Sequence, residues 1–185
     1  MTTPVGKQRF KFLTALRRRQ GFARNNRGAV AVEFALLALP FFTIVAAILE
    51  TAIVFLASQV LESSVHDTAR LIKTGQAQSV PLTVSQFKTK LCERGFGLFT
   101  CDQLKVRVRI VNDFTSASVA SPLDPDDASW ILTEQYEPGL GKQIIIAEAY
   151  YKWPTVVNLI GFNLADSADG TRLLGAVRVW RNEPF

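Results

Sequence analysis

From Phe34 to Leu49 the chain is apolar, interrupted only by Pro40 and Thr43; after Glu50 and Thr51 the apolar character resumes from Ile53 to Ala57. The run has no polar face, and a buried helix of a soluble domain is the less favoured reading. At 1.5 Å per residue, Phe34 to Ala57 extends roughly 36 Å, enough to cross a bilayer core of about 30 Å. Beyond Ala57 the period persists while the composition changes. Val60, Leu61, Val65, Ala69 and Ile72 form a stripe at three- and four-residue spacing, with Gln59, Glu62, Asp67, Arg70 and Lys73 on other faces. Gly75 supplies a stop. One helix from about Val30 to Thr74 is expected, membrane-spanning over residues 29–57 and amphipathic over 58–75, where it needs a packing partner.

A second helix is expected at TVSQFKTKL (83–91), where Thr83 and Gln86 have capping-box spacing and Phe87 and Leu91 share a face. Three stretches alternate as strands do. LKVRVRIV (104–111) sets Leu104, Val106, Val108 and Ile110 against Lys105, Arg107 and Arg109. QIIIAEAYYKW (143–153) sets Ile145, Ala147, Ala149, Tyr151 and Trp153 against Glu148 and Lys152. TRLLGAVRVW (171–180) sets Leu173, Val177 and Val179 against Arg178. Segment 112–142, rich in Asp, Ser, Pro and Gly, reads as a long surface loop. The expected fold class is α+β: a long N-terminal membrane-spanning helix followed by a small domain, residues 76–185, with a three-stranded antiparallel sheet. One sheet face would lie on the long helix and the other in water.

Charge sharpens this picture. The formal net charge is +5, but Lys7, Arg9, Lys11, Arg17, Arg18, Arg19, Arg24 and Arg27 all lie within residues 1–28, which hold no acid. The remainder carries 13 basic and 16 acidic side chains. A basic tail before a mildly acidic body argues against nucleic-acid binding. It fits a topology signal, with the tail in the cytoplasm and the C-terminal part across the membrane. A cleaved secretory signal fits less well, because the apolar stretch is too long and Glu50 stands where small residues should mark cleavage.

Catalytic chemistry is not apparent. Residues 1–185 contain no nucleophile-elbow, P-loop, zinc-protease or dinucleotide-binding pattern. No cofactor and no small-molecule substrate are expected. Two cysteines and the single His66 do not make a zinc set. Across a membrane, Cys92 and Cys101 are expected to form a disulfide in preference to remaining free thiols. DPDD (124–127) lacks the spacing of a calcium loop and reads as a turn. Lys105, Arg107 and Arg109 read as a strand face paired with Glu148, the alternative being an anion-binding stripe. Trp130, Trp153 and Trp180 read as core or interface residues.

Glu33 does not fit an ordinary anchor. A carboxylate within a lipid-facing helix is unfavourable unless it has a partner, although a place near the helix N-terminus eases the cost. Gly28 lies five residues before it, and Arg27-Gly28 closes the basic tail. Glycine, four residues, Glu-Phe, then an apolar helix resembles the processing site of type IV prepilins. More narrowly, GAVAVEFALLALPFF is similar to the N-terminus of TadE-like minor pseudopilins of tight-adherence (Tad) pilus systems. The resemblance implies cleavage by a membrane prepilin peptidase after Gly28, with residues 1–28 as leader and Ala29 as the new N-terminus. It also implies that Glu33 meets the terminal amine of a neighbouring subunit during assembly. Its partners would be the membrane, the peptidase, other pilins or pseudopilins and Tad assembly proteins. Its place would be the bacterial inner membrane, with the C-terminal domain periplasmic. A chain longer than the small Flp pilins, carrying a folded domain, suggests a minor or assembly component. The rival is an uncleaved single-pass protein with a periplasmic binding module, for which Glu33 is incidental.

Overall fold

The computed structural model describes residues 28–80, 82–159 and 162–185; the basic stretch 1–27 lies outside the described residues. The chain divides into two units between Val45 and Ala46. Helix α1, Ala29–Lys73, begins in the first and ends in the second. In the first unit its apolar side chains are solvent-exposed, from Val30 through Ile44. Pro40 lies inside this stretch and removes the donor for the Leu36 carbonyl. Thr43 Oγ1 donates to the Leu39 carbonyl at 2.8 Å. This is the one helix among the described residues long and apolar enough to cross a membrane.

In the second unit α1 becomes one-sided. Ala57, Leu61, Ser64, Val65, Thr68, Ala69 and Ile72 are buried, in the expected three- and four-residue rhythm. Ser64 and Thr68 donate to the Val60 and Ser64 carbonyls one turn back, which satisfies their buried hydroxyls. Gly75, at φ +80°, takes the left-handed conformation that ends the helix, and its N–H bonds Ile72 O at 3.1 Å. A β-carbon there would strike the Phe185 ring at 2.7 Å. A single turn, α2 (Gln76–Ser79), follows, then α3 (Val84–Glu93). The capping box is present: Gln86 N–H donates to Thr83 Oγ1, and Thr83 N–H to Gln86 Oε1. A 3₁₀ turn, Cys101–Gln103, leads into the sheet.

The sheet has four strands in the order β2-β1-β3-β6: β1 is Lys105–Val111, β2 Gln135–Tyr136, β3 Ile144–Pro154 and β6 Thr171–Arg181. Strands β1 and β6 flank β3 antiparallel, and the short β2 pairs parallel to β1. The expected three-stranded antiparallel sheet is thus a four-stranded mixed one. A two-residue strand leaves no alternation in the sequence to read. A small hairpin, β4 (Asn158–Leu159) with β5 (Phe162–Asn163), sits outside this sheet.

One sheet face carries Leu104, Val106, Val108, Ile145, Ala147, Ala149 and Tyr151, which form a core with Leu61, Val65 and Ile72 of α1 and Phe87 and Leu91 of α3. The faces expected for β1 and β3 hold, but β6 is inverted. Leu174, Ala176 and Trp180 belong to the core, while Leu173, Val177 and Val179 lie on the opposite face beside Lys152, Glu148 and Ile146. Strand β6 has apolar residues on both faces, so alternation alone could not fix its orientation. Arg178 shares the helix side and reaches Glu62 of α1 at 2.9 Å.

The second sheet face is not simply wet. Ile144, Ile146, Glu148 and Tyr150 are all buried. Segment 112–134 contributes the cover: Ala117 packs with Val111, Ile144 and Ile146, and Arg109 donates to Ser118 O at 2.6 Å. Lys152 lies over the Trp130 ring at 5.4 Å and donates to Ala128 O. DPDD forms the expected turn, with Asp124 Oδ1 accepting from Asp126 N–H and Asp127 Oδ1 from Ser129 N–H.

Candidate functional site

The residues singled out at the N-terminus stand together by sequence. Gly28 is the last residue before α1, Ala29 its first helical residue, and Glu33 lies one turn further on. All three are exposed. A β-carbon on Gly28 would meet nothing within 4 Å, so packing among the described residues does not demand a glycine there. Among the described residues no ion pair includes Glu33. Its Cα lies about 6 Å along the helix axis from that of Ala29, a spacing set by four residues of α-helix.

Cys92, at the end of α3, and Cys101, at the start of the 3₁₀ turn, are joined in a disulfide. Cys92 is buried and Cys101 exposed, so the bond fastens the outer turn to the core. Phe99 lies within the closed loop and packs edge-on against Tyr151, with ring centroids 5.1 Å apart. The basic stripe is paired. Glu148, 1% exposed, accepts from Arg107 Nη2 at 2.7 Å and from the Tyr150 hydroxyl at 3.2 Å, and its second oxygen faces Arg109 Nε at 3.5 Å. Burial, and secondly the Glu148 charge, push the Tyr150 hydroxyl pKa up, so it stays a donor. Lys105 pairs with Glu134 at 3.7 Å. Hydrogen bonds from Lys152, and secondly Thr171, hold the Asp169 carboxyl down at about 2. Among the described residues no group of His, Cys, Asp and Glu is placed to hold a metal ion. The indole of Trp153 packs beside Phe99 and Tyr151, and that of Trp180 donates to Asn182 Oδ1 at 2.9 Å.

Glu50 was not expected to matter beyond interrupting an apolar run. It is only 8% exposed, and its carboxylate accepts from the main-chain N–H groups of Val156 and Val157, the latter at 3.1 and 3.2 Å to its two oxygens. A helix residue thereby closes over the loop that follows β3. The available signal was a carboxylate inside an apolar stretch with no cation one turn away; the acceptor's partners, being main-chain groups, left no trace in side-chain pattern.

No curated protein and no solved structure matches the chain. Residues 28–70 match the family model described as TadE-like protein. The match opens on Gly28 and runs through the exposed apolar part of α1 into its buried stripe. Over residues 28–70, about a quarter of its length, the chain is similar to TadE-like proteins.

Proposed function

We propose that the protein is a pseudopilin-like structural component of Tad pilus biogenesis, anchored by α1 in the inner membrane with its sheet domain on the periplasmic side. The observation that carries this reading is the coincidence of three boundaries: the TadE-like match opens at Gly28, the basic stretch ends at Arg27, and α1 begins at Ala29. A peptidase cutting after Gly28 would remove all eight cations of the leader and leave a helix with a free amine at its first residue. Gly28 is exposed and side-chain-free, which suits entry into a protease site. Glu33 would then be the first acid of the mature chain, in a setting where an unpaired carboxylate is costly. A terminal amine from an adjacent subunit would neutralise it and set the axial register between helices.

The test is the N-terminal sequence and intact mass of the protein from membranes, with and without the prepilin peptidase of the same cells. Cleavage is expected to leave Ala29 as the first residue only when the peptidase is present, and Gly28→Asp should block it. An intact 1–28 segment under both conditions would leave an uncleaved anchor carrying a periplasmic binding module.

A further inference from the structure

We propose that the loop Pro154–Asn158 is a lipid-contacting element that holds Val156 in the interfacial layer of the membrane. The inference rests on the single-span reading above and adds a second point of contact to it. Val156 is 86% exposed, while the main-chain N–H groups of residues 156 and 157 are bonded to Glu50. Glu50 directly follows Leu49, and its neighbours Ile48, Leu49 and Ile53 are 63%, 58% and 50% exposed. The clamp therefore brings an exposed valine to the stretch of α1 where exposed apolar side chains continue.

Two further observations point to lipid as the occupant. First, no residue between Lys152 and Asp166 is charged, although charges are frequent elsewhere in the sheet domain. Second, irregular backbone is tolerated near hydrocarbon only where its polar groups are paired. The Glu50 carboxylate supplies that pairing for two consecutive N–H groups, and Thr155 Oγ1 adds a bond to Gly170 O at 2.8 Å. Trp153, partly exposed at the base of the loop, is a residue type enriched at the membrane–water boundary.

The experiment uses the full chain in phosphatidylethanolamine–phosphatidylglycerol vesicles at high lipid-to-protein ratio. An environment-sensitive fluorophore is placed on Val156→Cys, on Ile44→Cys in the apolar run, or on Ser116→Cys in an exposed loop; the native cysteines are held in their disulfide. The probe at 156 should show blue-shifted emission and be quenched by lipids spin-labelled near the headgroup, the probe at 44 should be quenched by lipids spin-labelled deep in the acyl chain, and the probe at 116 should respond to neither. Quenching at 44 but not at 156 would overturn the inference while leaving the membrane anchor intact. Absence of quenching at 44 would overturn the anchor itself. A blue shift at 156 without lipid quenching, lost on dilution into more lipid, would mean that a second copy covers the loop, and would also overturn it. Adding Glu50→Ala should abolish quenching at 156 and spare it at 44; unchanged quenching at 156 would show that the clamp does not place the loop.

Discussion

Glu50 and Glu148 are both buried carboxylates, and they are satisfied in different currencies. Glu148 answers side-chain charge. It sits directly across from Arg107 in the β1–β3 register, and Arg109 and Tyr150 complete its surroundings. Removing the acid leaves two guanidinium groups, each about a quarter exposed or less, without their counterion. Breaking a buried pair by deleting one partner costs about 3–5 kcal/mol, and the partial exposure of the arginines places this case toward the lower end. Glu148→Ala is expected to lower the unfolding free energy of the sheet domain accordingly in denaturant titrations, and Glu148→Gln by less, since an amide still accepts from one arginine. An unchanged midpoint for Glu148→Ala would show that the arginines are adequately solvated alone. Glu50, by contrast, answers main-chain N–H groups, which is why no complementary cation near it in sequence announces its role.

At the scale of the element, the helices were the most legible. The apolar stripe of α1 sets its buried face, Gly75 its end, and the Thr83–Gln86 box the start of α3, because each is a local signal confined to a few neighbouring residues. Strands β1 and β3 were legible for the same reason. Strand β6 was not: Leu173 and Leu174 are adjacent, and the inward face is set by packing of Leu174, Ala176 and Trp180 in the core, with Arg178 meeting Glu62, 116 residues away, on that side. Strand β2 and the cover formed by residues 112–134 depend likewise on non-local contacts. The disulfide joins α3 to the 3₁₀ turn over a separation of 9 residues. Closing so short a loop stabilises a domain by roughly 2–3 kcal/mol in the chain-entropy model. Cys92→Ser with Cys101→Ser is expected to lower the melting temperature, and reductant should lower that of the wild type while leaving that of the variant unchanged. Equal melting of oxidised wild type and variant would exclude a stabilising role.

For the whole molecule, exposure divides along the chain. The side chains of α1 through Leu49 are largely open to their surroundings, and the buried residues begin at Glu50. If Glu33 works between subunits, its replacement should leave the fold of the single chain untouched. Glu33→Ala is expected to keep the wild-type circular dichroism and melting temperature while losing co-purification with pilus components from membranes. Loss of the fold itself would relocate the role of Glu33 to the interior of its own chain. The N-terminal residues form a motif because their spacing is contiguous, whereas the Glu50 contact spans more than a hundred residues and leaves no such pattern in the sequence.

The Glu50 contact also separates position from identity. Its acceptors grip N–H groups that every residue except proline carries, so the loop keeps its mounting whichever side chains it presents. Val156 is an interchangeable tip on a fixed stem: substitutions there can retune what the protein touches without renegotiating how it folds.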